Sequence, residues 1–173
     1  GTFLGVHFTQ LQDAQTAMAL GTIVVSTGNV LPLRGLKAAR GRPTDVEKLV
    51  AVEKSISRAQ KGVYGVWFDK LSDSAERYSF GIANRPIYQI ASVGLFVVRV
   101  TDTAGDIQNG NWIHASPRAG EGERQIDGAG NYEPTLQDKT VAKALVDVNW
   151  AAIQVDPVLG YKWKLIPATI HAG

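Results

Sequence analysis

Short runs of β-branched and aromatic residues, each cut off by a glycine or a proline, are the feature that most restricts how this chain can fold. Gly and Pro contribute 18 and 7 of the 173 residues and are scattered along the whole length. Glycine supplies the positive φ of tight turns, and proline cannot donate to a central ladder, so this spacing favours short strands over long helices. Residues 20–27 (LGTIVVST) run into Gly28-Asn29 and read as a strand and a turn. Residues 30–33 (VLPL) read as the hairpin partner, confined to an edge by Pro32. Residues 63–68 (VYGVWF), 78–82, 88–93 and 95–101 (LFVVRVT) follow as strands, with Gly94 between the last two. Asn109-Gly110 is a strong hairpin signal ahead of residues 111–116 (NWIHAS).

The Gly-rich stretch 117–138, with Pro117 and Pro134, reads as a long loop. Residues 140–148 return as a strand with apolar Val141, Ala144, Val146 and Val148, although Ala, Lys and Leu there also suit one short helix. In residues 161–166 (YKWKLI), alternation puts Tyr161, Trp163 and Leu165 on one face and Lys162 and Lys164 on the other. Residues 44–62 fit two descriptions. Thr44 with Glu47 resembles a helix cap, and Val46, Leu49, Val50 and Ile56 form a tolerable helical stripe. Residues 49–55 also alternate as a strand does, and 58–62 read as a turn.

The sum is eight to twelve short strands, hence an all-β sandwich or barrel of short antiparallel strands with long Gly-rich loops and room for one short helix. No fixed-period repeat speaks for a solenoid or propeller. The expected organisation is one β-rich unit over 1–173, or two lobes of about 1–76 and 77–173.

At 45% apolar and 20% charged residues the chain can bury a sizeable core. Its formal net charge is +2, and the densest cationic run, Arg34, Lys37, Arg40 and Arg42, reads as a solvated loop, so nucleic acid is not expected as a partner. With no cysteine there is no disulfide framework, thiolate catalysis or zinc–cysteine site. No run approaches the ~18 apolar residues of a membrane span, so no membrane insertion is expected. The start shows no signal-peptide pattern, and Gly1 reads as a processed or trimmed end.

Candidate chemistry is sparse. His7, His114 and His171 have no metal-ligand spacing. Ser116-Pro117 is a turn dipeptide, not a nucleophile elbow. The carboxylate pairs Asp69/Asp73 and Glu121/Glu123 lie in expected loops or strand ends and read as solvated surface. Gly120-Glu-Gly122 and Gly128-Ala-Gly130 lack the lysine and helix of a phosphate loop. No catalytic, metal or cofactor residue is therefore assigned. The aromatics Trp67, Trp112, Trp150, Tyr161 and Trp163 all fall on or beside strands. Most are expected in the core, and exposed members would serve a subunit interface or a glycan-binding face.

Residues 90–100 (IASVGLFVVRV), 105–113 (GDIQNGNWI), 116–120 (SPRAG) and 140–144 (TVAKA) together resemble a β-module near the C-terminal end of phage fibre and appendage proteins. The likeness extends to domains labelled intramolecular-chaperone, or peptidase G2-like. It covers about half of the chain well, from Pro86 to Gly173, and the preceding half more loosely; Asn111 stands where the pattern usually has Asp. No self-cleavage dyad can be placed on this sequence. The resemblance tips residues 44–62 towards strand. It implies a virion structural protein: a fibre, appendage or capsid-decorating module, as a homotrimer in contact with other virion proteins and host surface glycans. Two rivals remain, a self-cleaving chaperone domain and a carbohydrate-binding module. Gly-turned hairpins suit such assemblies, since pairing between chains covers open edges.

Overall fold

A computed structural model describes residues 4–12, 18–32, 48–70 and 88–172. Nine strands are present: β1 (Leu4–Leu11), β2 (Ile23–Pro32), β3 (Lys48–Lys54), β4 (Val63–Lys70), β5 (Tyr88–Thr101), β6 (Trp112–Ala115), β7 (Gly122–Arg124), β8 (Thr140–Ala144) and β9 (Trp163–His171). The only helical turn among the described residues is a 3-10 turn at Trp150–Ala152, capped by Asn149. The chain is all-β, as expected, and takes the barrel form.

The sheet runs β1-β3-β2-β4-β5-β7-β6-β8-β9, with further pairings β1–β5 and β5–β9. Those two extra pairings close it into two rings that share β5. The first half of β5 pairs with β1 and β4, and the second half with β9 and β7. Each ring contains one parallel contact, β1–β3 and β5–β7, and both are short. Every described strand therefore has a neighbour on each side, and this chain covers its edges internally rather than leaving them for another chain.

Period-two alternation explains how the strands near the shared β5 serve two cores. Ile23, Val66 and Ala91 belong to the larger cluster of the second ring, with Ile113, Val141, Ala144, Ile166, Ala168 and Ile170. Their neighbours Val24, Trp67 and Ile90 turn the other way, into a smaller cluster with Leu11, Val52, Tyr64 and Tyr88. The rings meet where Gly120 N–H donates to the Ser55 carbonyl at 2.8 Å and Ile23 N–H donates to the Gly120 carbonyl at 2.8 Å. Gly120 has φ +74°, and a Cβ there would lie 2.6 Å from Thr22 Cγ2, so the crossing requires glycine.

Several expectations change. Gly28-Asn29 does not end a hairpin: β2 continues through it, with a register shift between Ser26 and Val30 along β3. Thr27 Oγ1 donates to the Ala51 carbonyl at 3.0 Å and bridges that irregularity. Gly94, at φ 110°, does not break β5, which runs for 14 residues. Asn109-Gly110 does turn the chain, but it joins no adjacent strands, because β7 lies between β5 and β6. That β7 falls inside the stretch expected to be loop. Residues 48–54 are strand, and of residues 140–148 the strand reaches only to Ala144. On β9 the core face is Ile166, Ala168 and Ile170, while Tyr161, Trp163 and Leu165 stay half-buried. The strand expected at 78–82, the basic run at 34–42 and Asp73 lie outside the described residues.

Candidate functional site

Of the carboxylate pairs expected at the surface, Asp69 is exposed, but Glu121 and Glu123 are the most buried charges among the described residues. Glu121 is 1% exposed and Glu123 0%, beside His114 at 0%. Residues i and i+2 of an extended stretch share a face, so Glu121, just before β7, and Glu123, within it, point to the same side, away from the core side that Gly122 faces. There Arg58, from the β3–β4 turn, grips Glu123 in a fork, with Nε to Oε2 at 2.7 Å and Nη2 to Oε1 at 3.0 Å. Thr103 Oγ1 donates to Oε1 at 2.6 Å, and His114 Nε2 lies 2.8 Å from Oε2. Burial alone would raise the Glu123 pKa; the bonds from His114, Arg58 and Thr103 outweigh it and hold the pKa below the ordinary value.

Glu121 goes the other way: burial raises its pKa against the opposing pull of Arg99, Tyr161 and Arg118. Its Oε1 accepts from Arg99 Nη2 at 3.3 Å and Tyr161 Oη at 3.2 Å, while Oε2 is buried without a partner among the described residues. Arg118 donates to Asp102 Oδ1 at 2.6 Å. The network welds the two rings together; its ionised groups chiefly address one another.

Above Glu121 the network becomes surface. Arg99 lies 3.8 Å over the Trp163 ring and Arg118 4.4 Å over the Tyr161 ring. Arg99 and Trp163 are diagonal neighbours on β5 and β9, whose register sets Arg99 against Leu165 and Thr101 against Trp163. Trp163 Nε1 donates to Asp156 Oδ2 at 2.7 Å. Asp156 Oδ1 accepts the amides of Val158 at 2.8 Å and Leu159 at 3.0 Å, and Gly160, at φ 78°, closes the turn. These bonds, that from Trp163 foremost, hold the Asp156 pKa below its ordinary value. The outcome is a fixed apolar tip: Val155 is 53% exposed, Val158 90% and Leu159 45%.

Of the five aromatics singled out in the sequence, Tyr161 and Trp163 come together at this tip. Trp150 is core, 5% exposed, with Nε1 on the Gly105 carbonyl at 2.9 Å. Trp67 packs half-buried in the first ring, 6.1 Å from Tyr88. Trp112 stands apart, edge-on to His171 at 5.1 Å, with Nε1 on the Pro134 carbonyl at 2.9 Å. His7 and His171 line one hollow with Ser92, Val93 and Leu136, and among the described residues no group of three or more His, Cys, Asp or Glu is placed to hold a metal ion. The exposed tip residues were missed, although Asp156-Pro157 followed by Gly160 spells out the turn that presents them. No family model matches the chain, and no curated protein matches it.

Proposed function

We propose that the chain is a structural component of a bacteriophage particle, a fibre, appendage or capsid-decorating module, that acts as a homotrimer through self-assembly and surface contacts. Support from the sequence is the resemblance over residues 86–173. Support from the geometry is one observation: Val158, 90% exposed, sits on a turn locked by Asp156 above an arginine–aromatic base. Apolar groups held rigidly in water lose little entropy on docking, and Trp, Tyr and Arg are the residues that dominate interface energies. Because each described strand is already paired on both sides, the contacts between chains run through this tip and the sheet faces, not through strand addition.

The test is solution mass by light scattering after size exclusion, over a range of concentrations. A mass near three times 18.6 kDa is expected. A mass of one chain at every concentration overturns the homotrimer and, with it, the role given to the tip.

A further inference from the structure

A polar cleft on the second ring is built differently from the tip. Two adjoining hollows of about 300 and 420 Å³ share Asp106 and Gln108. Their size is that of small-molecule sites, and most of the residues that line them carry polar side chains. The floor is fixed by the reciprocal bridge between Ile107 and Val148, with N–H to O distances of 3.0 and 2.7 Å.

The side chains are fixed as well, each by one atom. Asp106 Oδ1 accepts the Trp150 amide at 3.0 Å, and Asp147 Oδ1 accepts the Asn109 amide at 2.7 Å. Asn111 Oδ1 accepts the Gln108 amide at 2.8 Å, and Arg124 Nε donates to the Ala104 carbonyl at 2.9 Å. The atoms left over have no partner among the described residues: Oδ2 of both aspartates, Nδ2 of Asn111 and the Nη atoms of Arg124. Asp106, Asn111 and Arg124 line the first hollow beside Tyr132, and Asp106 and Asp147 line the adjoining one, so acceptors and planar donors are preset along the two together.

We propose that this cleft binds a neutral saccharide. A sugar hydroxyl both donates and accepts, which is what alternating carboxylate, amide and guanidinium groups recognise. Two carboxylates against one guanidinium leave the walls net negative, which disfavours acidic sugars, phosphate and nucleic acid. Preset side chains reduce the entropy lost when the sugar is held.

The test is a nuclear magnetic resonance titration of the isotope-labelled full chain with glucose, galactose, N-acetylglucosamine, lactose and maltose, and with sialic acid as the acidic comparison. Saturable shifts at the amides of residues 105–111 and 147–149 are expected with at least one neutral sugar. Asp106→Asn, which keeps Oδ1 for the Trp150 amide, and Arg124→Lys should each weaken that binding by roughly twofold to tenfold, the loss of one hydrogen bond, and leave the rest of the spectrum unchanged. No shift at these amides at tens of millimolar sugar, equal binding by both variants, or preference for sialic acid would each overturn the proposal.

Discussion

The seam between the rings and the tip above it exchange the usual roles of charge and hydrocarbon. At the seam, two carboxylates and an imidazole are essentially sealed from water; at the tip, a valine is 90% exposed. A buried charge is tolerated only where partners replace its water, and Glu123 has Arg58, Thr103 and His114. An exposed valine needs no partner to be tolerated, but a turn that fixes it outward against its preference for burial is organised for contact. The comparison separates the groups that hold this molecule together from those proposed above to meet other chains.

The sharpest way to break the comparison is at Glu123. Glu123→Ala leaves the Arg58 guanidinium without its fork and His114 buried without its carboxylate, and should cost about 3–5 kcal/mol in chemical denaturation. A loss below about 1 kcal/mol would mean that the seam is not what joins the rings. Gly120→Ala should cost about 1–3 kcal/mol, because the alanine meets both a left-handed φ and Thr22 Cγ2.

The two carboxylates should also part with pH. Glu123, with its pKa lowered by folding, contributes stability that is present above the ordinary carboxylate value of 4.5 and is lost as pH falls through its own lower pKa. Glu121, with its pKa raised, contributes stability that is complete below 4.5 and is lost as pH rises through its own higher pKa. Denaturation midpoints across that range should therefore show the acid-side loss disappearing in Glu123→Gln, whereas Glu121→Gln should be close to neutral at pH 7. The reverse pattern would exchange the roles assigned to the two residues. The smallest expected effect is at Asp156→Ala, which removes the acceptor that holds the turn and should raise amide exchange at Val158 and Leu159 while sparing β5 and β9. Protection unchanged at those two amides would show that the tip is not held by Asp156.

How much of this was legible in the sequence follows from which interactions are local. The β-branched runs around β2, β4 and β5 announce strands because alternation and turn residues act within a few positions. The partner of a strand is not local, so Asn109-Gly110 marked a turn without showing that β7 would insert between β5 and β6. β7 itself is only three residues long, Gly-Glu-Arg, directly after Gly120-Glu121, a composition that speaks for loop. Glu123 is met by Arg58 from 65 positions earlier, and Glu121 by Arg99 from 22 positions earlier and Tyr161 from 40 later, separations no short-range pattern reports. The aromatics were visible as a class, but their placement depended on distant partners: the register of β9 against β5 brings Trp163 beneath Arg99, and Asp106 with the Gly105 carbonyl holds Trp150 inside.

The most direct measurement compares the solution mass of the unaltered chain with that of a chain carrying Val158→Asp and Leu159→Asp, at one concentration and with circular dichroism of both. The expected result is a three-chain mass for the first and about 18.6 kDa for the second, with matching β-sheet spectra. Equal masses for two folded chains would contradict the assignment of the tip to assembly.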